Sequence, residues 1–183
     1  LFENNLNFDI NNINYKNDLG FSLKEFSSNL ILNNKDFYLN DIEFNYEKSN
    51  IKGDLYIDFS KINNENSINL GSIDSVYLDF KIADSKIYPS DLSIVYDKID
   101  KTYSDSWNLK SDINGFISNL NINKTILSNN DNLIEFDAKL SNIFSGRDDY
   151  LLDFKFKKIN TSSQTINSIL PEIFGTMIPT STK

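Results

Sequence analysis

Ser49 to Phe59 reads SNIKGDLYIDF. Every second residue from Ile51 is apolar or small: Ile51, Gly53, Leu55, Ile57 and Phe59. Between them stand Lys52, Asp54, Tyr56 and Asp58. A period of two places alternate side chains on opposite faces of a β-strand, so this segment has one greasy face and one wet face. The same signal recurs outward from it. Leu6, Phe8 and Ile10 alternate with Asn7 and Asp9, and Leu19, Phe21 and Leu23 follow. Ile42, Phe44 and Tyr46 form another run. Val76, Leu78, Phe80 and Ile82 are separated by Tyr77, Asp79 and Lys81. Leu109, Ile113 and Ile117 share a phase with Ser111 and Gly115. Ile134, Phe136, Ala138 and Leu140, then Leu152, Phe154 and Phe156, complete the series. The polar positions mix Lys with Asp and Glu, which suits cross-strand pairing.

Helical signals are sparse. Pro89-Ser90-Asp91, followed by Leu92, Val95 and Tyr96, predicts one to two turns of helix. Thr161–Leu170 carries Ile166, Ile169 and Leu170 at helical spacing and stops at Pro171. With 6 Gly and 3 Pro in the chain, tight turns fall to Asn and Asp, which tolerate the left-handed region. Phase changes from Ile10 to Ile13, from Leu23 to Phe26 and after Ile117 predict bulges or turns. SNIKGDLYID at 49–58 loosely matches SDINGFISNL at 111–120, which suggests a quasi-repeated strand unit.

Composition excludes several function classes. The 183 residues carry a formal charge of −8, which disfavours phosphate backbones and hence general nucleic-acid binding. Cys and His are both absent. Without them there is no disulfide, no thiol catalysis, no Ser-His-Asp triad and no imidazole-ligated metal. Arg147 is the sole arginine. Asp148, Asp149 and Asp153 offer oxygen ligands, but their spacing matches no calcium loop and a solvated loop accounts for them. Asp97, Asp100 and Asp105 are similarly scattered. No carboxylate pair stands out for glycoside hydrolysis and no Gly-rich phosphate loop is present. Tyr56, Tyr77 and Phe116 fall on wet faces, where they either pack against neighbours or bind sugar or a partner. The chain starts at Leu1 without the pattern of a signal peptide, so an excised or processed section of a longer protein is expected. No apolar run approaches the roughly 20 residues that span a bilayer.

Three stretches carry a family likeness. They are SNIKGDLYIDFS at 49–60, DSKIYPSDLSIVY at 84–96, and LKSDINGFISNLNINKTIL at 109–127 followed by TINSILPEIFGTMIP at 165–179. In order and spacing the chain from Phe21 onward resembles the AsmA-like superfamily of periplasmic proteins, in particular the TamB-type translocation and assembly modules. The heavy Asn content and SINLGSID at 67–74 depart from that pattern. The resemblance implies an all-β fold with minor short helices: an elongated, mainly antiparallel open β-groove, or β-taco, with an apolar concave interior. On this reading residues 1–183 form one section of such a groove. It further implies transport of phospholipid between inner and outer membrane and support of outer-membrane protein assembly beside a barrel partner of the TamA or BamA kind. The section would sit in the periplasm as part of an inner-membrane-anchored protein, meeting membranes through other parts of it.

The residue pattern agrees in kind. Moving a methylene from water to an apolar site is worth about 0.8 kcal/mol, so an acyl chain crossing water faces roughly 10 kcal/mol or more. A groove lined by Ile, Leu and Phe removes most of that barrier without catalysis or cofactor. The expected lining is Ile51, Leu55, Ile57, Phe59, Val76, Leu78, Phe80, Ile82, Leu109, Ile113, Ile117, Ile134, Phe136, Leu140, Leu152, Phe154 and Phe156. Gly53 and Gly115 interrupt it where the sheet bends or a lipid chain comes close. The rival readings are a closed β-sandwich that binds glycan or protein at a cell surface, and a scaffold whose edge strands pair with a nascent outer-membrane strand.

Overall fold

The alternating runs form ten antiparallel strands in one open sheet. The computed structural model describes residues 5–17, 22–60, 74–94, 99–130, 132–142 and 151–169. The strands are β1 (Leu6–Ile10), β2 (Tyr15–Lys16), β3 (Ser22–Leu32), β4 (Asp36–Tyr46), β5 (Ser49–Asp58), β6 (Tyr77–Ile87), β7 (Trp107–Phe116), β8 (Asn119–Asn129), β9 (Asn132–Ser141) and β10 (Leu151–Asn160). They lie side by side in the order β1-β3-β4-β5-β6-β7-β8-β9-β10, with β2 also paired to β3. The sheet does not close into a barrel: no described strand joins β10 back to β1. A 3-10 turn at Pro89–Ile94 follows β6, and the short helix α1 (Ser163–Ile169) follows β10. Both match the helical signals of the sequence. Val95, Tyr96, Leu170 and Pro171 lie outside the described residues, as do Leu19, Phe21, Asp97, Asp148 and Asp149.

The register is interrupted at one level across most of the sheet. Two residues of β4, Asn40 and Asp41, face the single Asp54 of β5. In β6, Ala83 and Asp84 stand opposite Lys110. In β8, Asn123 and Lys124 stand opposite Asp137. In β10, Lys157 is the extra residue. Mid-strand bulges therefore fall on every second strand, and each bends its strand. Asp41 and Lys124 adopt positive φ of 53° and 50°. Asn12, Glu47, Asn130 and Asn142 share that region, so turns here do rest largely on Asn and Asp.

Small buried residues absorb the bends. Ser28, Ser85, Ser111 and Thr125 are all buried on the apolar face at this level. Ser28 Oγ donates to the Asn40 carbonyl at 2.9 Å. The Lys52 N–H donates to Ser85 Oγ at 2.8 Å, and Ser111 Oγ lies 2.8 Å from Thr125 Oγ1. Among the described residues no buried side-chain polar atom lacks a partner. On the polar face the bulges are tied by charge: Lys110 to Asp84 at 2.6 Å, Lys124 to Asp112 at 2.8 Å, Lys157 to Asp137 at 2.7 Å.

A repeat is present, in a different register from the match between 49–58 and 111–120. That match lays β5 on β7 and its turn into β8, and the strands do not correspond. Instead an offset of 83 residues carries Asp36 to Asn119 and Ser49 to Asn132, the first residues of β4 and β8 and of β5 and β9. It also carries buried Ser28 to buried Ser111, and the Asp41-to-Asp54 contact to the Lys124-to-Asp137 contact. Two four-strand units, β3–β6 and β7–β10, each end in a short helical segment.

Candidate functional site

The apolar face is assembled by register. Leu6, Leu32, Phe37, Ile57, Leu78, Gly115, Leu120, Leu140 and Leu152 are successive cross-strand partners from β1 to β10. A second row follows beside it: Phe8, Leu30, Leu39, Leu55, Phe80, Ile113, Ile122, Ala138 and Phe154. Neither row holds a titratable group. Nine strands at about 4.8 Å spacing make each row roughly 40 Å long, more than the ~30 Å hydrocarbon core of a bilayer.

The expected lining residues take three kinds of place. Leu55, Ile57, Leu78, Phe80, Ile113, Leu140, Leu152 and Phe154 lie in the two rows. Ile51, Ile82, Leu109, Ile134, Phe136 and Phe156 lie on the same face at or beyond the bulges. Phe59, Val76 and Ile117 stand just past strand ends. The Phe59 N–H donates to Lys35 O at 2.8 Å and its ring sits 6.4 Å from Phe37. The Ile117 N–H donates to Val76 O at 2.9 Å, and Val76 is buried.

Ile134 and Phe136 are not open to solvent. Helix α1 lays Ile166 and Ile169 on them, forming a small core with Trp107 and Ala138. Phe154 and Phe156 pack at its edge, their rings stacked 5.6 Å apart. Trp107 Nε1–H donates to Tyr103 Oη at 3.1 Å. The face is thus covered at one end of β7–β10, where Ile122, Ala138 and Phe154 of the second row are drawn into the core; the other row members are half-buried, except Phe8 and Leu152 on the terminal strands, which are 48% and 38% exposed.

The row members Leu6, Phe8, Leu30, Leu32, Phe37, Leu39, Leu120, Ile122 and Ala138 are additions to the expected lining. In β4 the apolar phase runs Phe37, Leu39, then jumps at the bulge to Ile42, Phe44 and Tyr46. Only the second half alternates in step with a single continuous strand reading. The phase change after Ile117 is the turn between β7 and β8, and the one from Leu23 to Phe26 is a register shift at Lys24.

Both glycines are dictated by backbone. A β-carbon on Gly53 would meet Lys81 O at 2.2 Å, and one on Gly115, at φ +133°, would meet Asn119 O at 2.5 Å. The wet-face aromatics pair across strands: Tyr38 with Tyr56 at 4.6 Å and Tyr77 with Phe116 at 5.8 Å. Burial, then the charges of Asp58 and Asp36, push the Tyr56 hydroxyl up to about 12. Among the described residues no group of three or more acidic side chains is placed to hold a metal. No described helix is long and apolar enough to cross a membrane. Comparison with protein-family models, with curated proteins and with solved structures found no match.

Proposed function

We propose that this sheet is a section of a hydrophobic groove that shields phospholipid acyl chains between two membranes. The observation that carries the proposal is the pair of uncharged rows running unbroken across nine strands of an open sheet. Side chains this apolar normally face a second layer of the same domain. Here the described strands form one sheet, and α1 and Tyr103 pack against one end of its apolar face. An acyl chain laid along the rows exchanges one hydrocarbon surface for another, so movement requires no chemistry at the wall. The same support favours this reading over a closed sandwich that binds glycan or protein. With the family resemblance, it extends to a periplasmic location, a role in outer-membrane assembly and an outer-membrane barrel partner.

Native mass spectrometry of the purified protein tests this, with phospholipid expected to co-purify. Leu78→Asp, in the open row, should abolish lipid capture with the β-sheet circular dichroism unchanged. Phe136→Asp, under α1, should unfold its unit. Lipid-free protein, together with unfolding by Leu78→Asp, would mean that the row is ordinary core.

A further inference from the structure

On the polar face the two four-strand units share a frame of side chains. In the first unit Tyr38 and Asn40 of β4, Asp54 and Tyr56 of β5, and Asp79 and Lys81 of β6 line a cavity of about 390 Å³, together with Leu55. The repeat carries these six positions to Asn121, Asn123, Asp137, Lys139, Asp153 and Lys155, with Leu78 and Phe80 of β6 matching Leu152 and Phe154 of β10. Asn40, Asp54, Asp79 and Lys81 recur by type, and the two tyrosines do not. Part of the frame serves the backbone. Asp54 Oδ1 accepts from the bulge N–H of Asp41 at 2.9 Å, and Asp137 Oδ1 accepts from that of Lys124 at 2.8 Å.

In the second unit the same carboxylates also meet ammonium groups of the chain. The Lys157 ammonium lies 2.7 Å from Asp137 Oδ1, and Lys139 stands opposite Asp153. In the first unit both carboxylates are kept and both cations are replaced. Ala83, exposed in the β6 bulge, stands where Lys157 does, and Tyr56 stands where Lys139 does. Among the described residues no ammonium lies within ion-pair distance of Asp54 or Asp79.

We propose that this cavity binds an alkylammonium ion, which takes the place that the lysine side chains fill in the second unit. Asp54 and Asp79 supply the charge. Tyr38 and Tyr56, with ring centroids 4.6 Å apart, supply aromatic surface, and a cation is drawn to the face of such a ring. Burial first, then the charges of Asp58 and Asp36, keep the Tyr56 phenol protonated, so it adds no charge of its own. Lys81 is no bar to a cation, because Lys155 holds the equivalent position beside Lys157 in the second unit. A metal ion is the poorer guest, since among the described residues no third acidic side chain joins these two to ligate one.

The test titrates n-butylammonium, the free counterpart of a lysine side chain, into the intact protein and follows amide chemical shifts. Saturable shifts are expected in β4 to β6, and the neutral isostere 1-butanol should not reproduce them. Ala83→Lys supplies the missing ammonium from an exposed position and should abolish the shifts with the β-sheet circular dichroism unchanged. Tyr38→Leu should weaken binding about threefold through loss of the ring. Absence of saturable shifts, equal shifts with 1-butanol, equal shifts in β8 to β10, or full binding by Ala83→Lys would overturn the proposal. The cavity lies on the face opposite the apolar rows, so this site and the groove reading fail independently.

Discussion

A β-carbon at residue 53 has nowhere to go, because the Lys81 carbonyl oxygen would be 2.2 Å away. Gly53→Ala must part β5 from β6 at the bend, and a cost of about 2 to 3 kcal/mol is expected from overpacking against backbone. Urea unfolding checks it; a midpoint within error of the parent would mean that the strands are held less closely than described. Ser85 acts at the same level from the neighbouring strand. Its hydroxyl is the acceptor for the Lys52 N–H, so Ser85→Ala leaves a part-buried donor without this acceptor, at roughly 1 kcal/mol. Asp137 supplies a pH dependence. The hydrogen bond from the Lys157 ammonium, then that from the Lys124 N–H, hold its carboxyl below the ordinary 3.8. A lowered folded pKa contributes stability above the unfolded value, and that contribution disappears as pH falls through the folded one. Urea midpoints should therefore drop below about pH 4, and Asp137→Asn should flatten part of that drop. At this scale Gly53 was legible as a site of bending, but the serines were not. Their role depends on bulges in neighbouring strands, and no local pattern around Ser28 or Ser111 marks a distant bulge.

Helix α1 decides which part of the apolar face is sealed. Ile166 is buried against Trp107 and Ile134, so Ile166→Ala should cost about 2 to 4 kcal/mol. Trp107 is 1% exposed and is the sole tryptophan, so its emission should shift to the red if the helix lifts. An unshifted spectrum together with an unchanged midpoint would show that α1 does not seal this end. The helix itself was readable from the spacing of Ile166 and Ile169. Its landing place was not, since contact with Trp107 spans almost sixty residues and leaves no periodic trace. Strands were readable where alternation runs unbroken, as in β5 and β9. In β4 the insertion of Asn40 and Asp41 hides the first half, because both residue types are equally at home in a turn.

Across the molecule every strand from β3 onward bonds to its sequence neighbours, in the manner of a repeat array. Protection against hydrogen exchange should therefore be greatest in β5 to β8 and least in β1 and β2, where a two-residue strand and exposed Ile13 and Tyr15 mark thin packing. Uniform protection would indicate a single cooperative core instead. Alternation makes strand after strand half-buried, as suits an antiparallel sheet, but it fits a closed sandwich as well; the open sheet was an expectation from the family resemblance. The true repeat was hidden from sequence because equivalent positions on the apolar face conserve shape and not identity. Gly53 stands where Phe136 does, and Leu55 where Ala138 does.

Because bends fall on β4, β6, β8 and β10 and skip the strands between, the smallest interchangeable panel of this sheet is a hairpin. Excising β7 and β8 together would set kinked β6 beside straight β9 with chain directions still opposed. Excising β8 alone would place straight β7 beside straight β9, pointing the same way. Length in this architecture is consequently quantised in twos, like a folding screen that can lose or gain leaves only in hinged pairs.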